Sequence, residues 1–331
     1  MSATGRAPNM ADVAKRAGVS HQTVWRVLND SPLVRETTRA RVQAAIAELG
    51  YRRNLSARHL ATSRSMVIGV LGPASANFGP TSSMYAVEHA VRAAGYHPLL
   101  MSAEPDESHS ALDRLLDQSA EALVVIAPYR STVHAIEELN ARVPIVVLQA
   151  GARAAGSSVA VDQAAGVRAA VDHLVELGHE RIQHIAGPAD FSDARLRADA
   201  FAAQLRRWHL PALPVLSGDW TPESGYLAAR RLHETATALF CGNDQMALGA
   251  IHALAERGIT VPGDVSVLGF DDIPESAHTL PPLTTVHQDF AAVGRLSLQK
   301  LLAKVEENDQ TTDKTIVPTR LVVRASTGPR R

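Results

Sequence analysis

The sequence predicts a small all-α helix-turn-helix headpiece followed by an α/β core of two doubly wound parallel-sheet lobes. Three observations lead there. Two short segments of helical period flank a glycine near the N-terminus. From Met66 onward, short apolar runs rich in β-branched residues alternate with helical stretches. That alternation breaks once, at GARAAGSS (151–158), and then resumes on the same plan.

In the head, Met10, Val13, Ala14 and Ala17 recur at helical spacing and give one apolar stripe. Gly18 follows, where the chain can take positive φ and turn. Ser20 is placed to cap a second helix, since its hydroxyl can accept from an early free N–H. In that helix Val24, Val27 and Leu28 share one side, and His21, Gln22, Trp25 and Arg26 fall on the other. A helix with such an outer face suits the major groove of DNA, where Gln pairs with adenine and Arg with guanine. Asn29-Asp30-Ser31-Pro32 reads as a loop. A third helix is expected from about Arg35 to Leu49, stopped by Gly50, with Val42, Ala45, Ile46 and Leu49 inward.

Residues 51–64, YRRNLSARHLATSR, are basic and carry little apolar surface. Ser56 to Ala61 is long enough for only one or two helical turns, marginal in water unless held. It reads either as a solvated linker or as a hinge that orders on DNA, with Leu60 wedged into the minor groove. In the core, strands are expected at MVIGVLG, HPLLMS, ALVVIA, PIVVLQ, RIQHIAG, LPVLSGDW, TALFCGN and VSVLGFDD. Helices fall near 84–94, 109–118, 132–140, 163–177, 192–207, 222–233, 244–257 and 289–305. Parallel strands joined by crossovers bury both sheet faces, and two such lobes leave a cleft at their strands' carboxyl ends. The tail after Lys304 reads as short and polar, with no leucine heptad.

Composition sets bounds. A chain of 331 residues is too long for one ordinary domain. The expected division is a headpiece over 1–53, a hinge over 54–64 and a core over 65–331. Within the core, the first lobe covers about 65–160 plus a return near 290–320, and the second about 161–288. Net charge is −1, yet residues 1–64 hold eleven Lys/Arg against four acids, +7, which leaves −8 for the rest. A basic head on an acidic body points to a polyanion met by the head alone. Cys241 is the only cysteine, so no internal disulfide forms, and in an apolar strand it is inert. No export signal or membrane-length apolar run is seen, so a cytoplasmic protein is expected. No phosphate loop, nucleophile elbow or dinucleotide fingerprint is present, and no cofactor is expected. His173, His179 and His184 straddle a helix end and a strand and would diverge, so no metal site is expected.

MADVAKRAGVSHQTVWRVLN resembles the signature of the lactose-repressor (LacI) family of transcription regulators. The body is similar to that family in HLVELGH, ARLR, GDW, NDQMALGA, GFDD and PPLTTVHQDF, so the resemblance spans about residues 9–325. It implies a headpiece, a hinge helix and a periplasmic-binding-protein-like core that forms a homodimer. It also implies double-stranded operator DNA and a carbohydrate effector as partners. Carried over, His21, Gln22 and Arg26 occupy base-reading positions and Leu60 the hinge leucine. Ser20, Thr23, Trp25, Asn29 and Arg58 complete the expected DNA-contacting set; of these Asn29, together with Lys15, Arg16, Arg52 and Arg53, is expected on phosphates or on nothing. Arg197, Trp220, Asn243, Asp271, Gln288 and Phe290 match positions that hold sugar in the family.

Four departures bear on the ligand, and one on DNA. Gln149 stands where the family carries a pocket carboxylate and Val161 where it carries an aromatic ring. Asn77 and Ser83 replace apolar lining near the cleft mouth, and Trp25 replaces a phosphate-touching serine. Each sugar position has a plainer reading. Arg197 could be a surface ion pair, Trp220 core, Asn243 a helix cap with Asp244 as the alternative, and Asp271 a loop carboxylate. Asp272 and Arg195 read as structural. A transport protein sharing the core would need an export signal and no basic head. An enzyme would need a convergent acid, base or nucleophile beyond the pocket residues.

Overall fold

The computed structural model describes residues 8–28, 30–51, 64–139, 143–148, 156–307 and 311–330. The expectations for Asn29, Arg52, Arg53, Arg58, Leu60 and Gln149, and for nearly all of the hinge, lie outside these residues. The chain divides into two compact units, Met1–Ser65 and Met66–Arg331.

The first unit is three helices. In α1 (Met10–Ala17) the Asn9 side chain accepts from the Asp12 N–H while the Asp12 carboxylate accepts from the Asn9 N–H, a reciprocal N-terminal cap. Gly18 turns the chain at φ 62°. Helix α2 (His21–Leu28) begins where the Ser20 hydroxyl accepts from the Thr23 N–H at 3.1 Å. Helix α3 (Glu36–Leu49) ends at Gly50. Val13, Val24 and Val42, one from each helix, are fully buried together. Tyr51, expected in the basic linker, is also buried in this small core. Its ring adds apolar area that three short helices otherwise lack. Arg16 pairs with Glu48 across α1 and α3 at 2.5 Å instead of standing alone.

The second unit holds two six-stranded sheets. The first carries β1 (Val67–Pro73), β2 (His97–Ala103), β3 (Ala122–Ile126), β4 (Ile145–Leu148), β5 (Ser157–Val161) and β11 (Lys314–Val317), in the order β11-β5-β4-β3-β1-β2, all parallel. The second carries β6 (Ile182–Ala186), β7 (Leu216–Ser217), β8 (Ala238–Cys241), β9 (Ser266–Asp271), β10 (Thr284–Gln288) and β12 (Thr319–Val322), in the order β12-β10-β9-β8-β6-β7. Here β12 alone runs antiparallel, against β10. Helices α4 (Phe78–Ala93), α5 (Ser108–Asp117), α6 (Arg130–Glu138) and α11 (Phe290–Glu306) accompany the first sheet. Helices α7 (Gln163–Glu176), α8 (Ser192–Arg207), α9 (Pro222–Ala229) and α10 (Asp244–Glu256) accompany the second.

The structure differs from the sequence expectations at four strands. Residues 151–158 read as an interruption, yet Ser157 and Ser158 already belong to β5 and are buried. TTVHQ (284–288) is β10, whose buried threonines hid it from an apolar-run reading. The polar tail supplies β11 and β12, one edge strand to each sheet. Edge strands are half exposed, so they need no apolar run.

The chain crosses between lobes three times, and all three crossings lie together. Asp162 accepts from the Ala165 N–H to cap α7, and Asp289 accepts from the Ala292 N–H to cap α11, both at 2.8 Å. At the third crossing the Asp162 N–H donates to Val317 O at 2.9 Å and the Thr319 hydroxyl donates to Asp162 O at 3.2 Å.

Candidate functional site

In the head, α2 turns Val24 and Val27 into the core and leaves His21, Gln22 and Trp25 on the outside. Half of the Trp25 surface is exposed, while Thr23 and Arg26 are partly covered. Ser20 and Thr23 hydroxyls lie 2.9 Å apart and hold the start of the helix, so both serve the local fold.

In the core, a cleft lies between the lobes and opens to solvent. Arg197, Asp271, Asn243, Trp220, Gln288, Phe290, Val161 and Asn77 all line it, and so does Ser83. The Ser83 hydroxyl donates back to Gly79 O at 2.9 Å. Asn77 starts α4 without a side-chain cap bond, so its amide does not serve that helix.

Four of the lining side chains close a hydrogen-bonded ring. Arg197 Nε donates to Gln163 Oε1 at 2.9 Å, and Gln163 Nε2 donates to Gln288 Oε1 at 3.0 Å. Gln288 Nε2 donates to Asp271 Oδ1 at 2.7 Å, and an Arg197 terminal nitrogen reaches the same oxygen at 3.4 Å. Arg197 and Asp271 are 4% and 6% exposed, so this pair is not the solvated bridge of a surface helix. The second Arg197 terminal nitrogen donates to Gly242 O, and its guanidinium packs 3.8 Å from the Phe270 ring centroid. Gln163 and Gln288 stand at two of the interlobe crossings, so the ring ties the pocket to those crossings.

Burial sets the electrostatics. It pushes the Asp271 carboxyl up to about 6, against the pull of Arg197 and Gln288. Asp244 behind it is pushed up to about 7 by burial and by the Asp271 charge. Asp244 is not the helix cap: it accepts from Thr285 (2.5 Å), Ser276 (2.7 Å) and the Ile273 N–H (2.9 Å). Asn243 caps α10 by accepting from the Met246 N–H at 2.9 Å, and its Nδ2 donates to Trp220 O at 3.1 Å. One amide thus joins the α10 start to the loop that carries the indole. Asp272 is structural, held by His287 at 2.9 Å and Arg324 at 2.7 Å.

Trp220 is 5% exposed, and its indole nitrogen has no partner among the described residues. A Cβ on Gly187 would sit 2.3 Å from the indole, so only glycine admits the ring there. Phe191 meets Trp220 edge-on at 5.4 Å, and Phe78 meets Phe290 edge-on at 5.8 Å. The three histidines bind separate partners: His173 the Thr327 hydroxyl, His179 Thr237 and Ser266, and His184 Phe240 O.

Sequence reasoning missed Gln163 and Asp193, both of which line the pocket. Gln163 follows directly on Val161-Asp162, and Asp193 lies one residue before the ARLR motif, so proximity to known motifs was the available signal.

Family models match at both ends of the chain: bacterial regulatory proteins of the lacI family over residues 9–54, and a periplasmic binding protein-like domain over 171–327. Across 323 residues the chain is 34% identical to the Lactose operon repressor of Escherichia coli (strain K12), spanning 96% of this chain and 89% of that one. The chain belongs to the LacI family. A solved structure of the Lac repressor dimer bound to operator and the anti-inducer ONPF matches with a TM-score of 0.89 and 32% identity, covering 98% of this chain and all of that one. A complex of the transcriptional regulator CelR with cellobiose matches with a TM-score of 0.73 and 29% identity, covering 96% and 99%. This LacI-family chain is therefore a DNA-binding transcriptional regulator and not an enzyme. Among the described residues no helix is long and apolar enough to cross a membrane.

Proposed function

We propose that the protein is a cytoplasmic homodimeric repressor whose operator affinity is set by a carbohydrate in the interlobe cleft, a galactoside or related glycoside acting as inducer. The observation that carries this reading is the ring of Arg197, Gln163, Gln288 and Asp271, with the Trp220 indole among the same lining residues. Fixed polar groups suit hydroxyls, and a flat ring suits the apolar face of a pyranose. A CelR–cellobiose complex among similar structures agrees with a saccharide.

On the DNA side, residues 1–53 form the reading head, with His21, Gln22 and Arg26 on base edges. Ser20, Thr23, Trp25, Asn29 and Arg58 flank the backbone, and residues 54–64 form a hinge whose Leu60 enters the minor groove. Residues 65–331 bind the effector and the second copy. A sugar that prefers one lobe arrangement lowers operator affinity by that same preference, because linkage is reciprocal.

A gel shift with genomic fragments, competitor DNA and a set of glycosides tests the scheme. Retention of a fragment that a glycoside weakens is the expected result. Retention unaffected by every glycoside overturns the inducer role. Arg26→Ala should cost about 1–3 kcal/mol and relax choice at one base pair per half-site. A uniform loss over all sequences would make Arg26 a phosphate contact instead.

A further inference from the structure

Asp193 lines the cleft at the start of α8, yet the ring of polar side chains passes it by. Among the described residues its one hydrogen bond from a side chain is a long one, 3.4 Å from Gln163 Nε2, and that nitrogen is already committed to Gln288 at 3.0 Å. Among the described residues no cation lies within ion-pair distance of Asp193, whereas Asp271 has Arg197. Arg197 is the only basic residue lining the cleft in the described chain, and its bonds run to Gln163, Gly242 and Asp271. The cleft thus presents two carboxylates against one guanidinium that is already spent, with the Asp244 carboxylate behind. Burial pushes the Asp193 carboxyl up while the Arg197 charge pulls it down in part. The aromatic residues Phe78, Phe290, Phe191 and Trp220 line the same space. A carboxylate among aromatic rings is the chemistry that holds an ammonium group. It repels phosphate and uronate.

We propose that Asp193 makes the cleft select saccharides carrying a protonated amine over their neutral counterparts. This rests on the reading of the cleft as a carbohydrate site and names the class within it. The hydroxyls of such a ligand meet the Arg197–Asp271 side, and its ammonium pairs with Asp193. An ammonium beside Asp193 also favours the ionised carboxyl that burial disfavours.

The test uses the full-length protein and matched probes: glucose, galactose and mannose, their hexosamines, and the neutral N-acetylated hexosamines. Calorimetry and thermal shift read binding. The expected result is a hexosamine bound at least about tenfold tighter than both its parent sugar and its N-acetyl form at neutral pH. In the wild type that preference should vanish near pH 9.5, where the amine is neutral. In Asp193→Asn, checked for an unchanged circular dichroism spectrum, the ratio of hexosamine to parent sugar should fall to about one. Equal binding of charged and neutral sugars by the wild type, or a preference that survives at high pH, overturns the role of Asp193 while leaving a sugar site. Failure of every saccharide, charged or neutral, to bind overturns the carbohydrate reading itself.

Discussion

The two walls of the cleft are built differently. The first lobe contributes mainly apolar surface, from Ile126, Leu148, Val159 and Val161, with Phe78 and Phe290 at one side. The second contributes Asp193, Arg197, Asn243 and Asp271, linked through Gln163 and Gln288 at the crossings. The polar wall is braced before any ligand arrives, because each donor in the ring already has an acceptor. The apolar wall has no such bracing and offers only area. On the proposed reading, orientation of a ligand falls to the second lobe and its desolvation to the first.

The difference is sharpest at Arg197. Arg197→Met should leave Asp271 buried without its cation, costing about 3–5 kcal/mol in unfolding free energy. Effector affinity should fall by more than about a hundredfold; denaturant melts and ligand titration measure the two effects. Removing the support behind the wall should cost less. Asp244→Ala strands the Thr285, Ser276 and Ile273 donors, worth about 2–3 kcal/mol together after local relaxation.

Acidity probes the same wall. Asp244 and Asp271 have carboxyls raised from 3.8 to about 7 and about 6 in the fold. Their protonated forms are therefore favoured by folding. That stabilisation is complete below pH 3.8 and is lost as the pH rises through 6 and 7. Melting temperature across this window should carry a downward component, and Asp244→Asn should flatten most of it. On the opposite wall, Val161→Ala removes part of one apolar contact and should cost about 1 kcal/mol of affinity at most. A loss there comparable to that of Arg197→Met would erase the distinction between the walls.

The sugar positions taken from the resemblance at Arg197, Trp220, Asn243, Asp271, Gln288, Phe290, Val161 and Asn77 all line one cleft. Motifs such as GFDD and NDQMALGA lie at strand ends, where alternation alone had already put the cleft. The helix capped by Ser20 and the turn at Gly18 were equally legible, since a cap bond reaches only three residues. Tyr51, Gln163 and Asp193 were not. Tyr51 was masked by the arginines beside it, and the other two gain meaning only from partners far along the chain.

By itself the sequence determined what acts over short range: helix period, caps, the strand–helix rhythm and a basic head on an acidic body. The tertiary structure decided which side chains meet. Arg197 joins residues 34, 45 and 74 positions away, and the polar tail adds an edge to each sheet. Spacing cannot encode such meetings, because they depend on how two sheets and three crossings stack. Only that stacking shows Asp271 with its cation and Asp193 without one among the described residues.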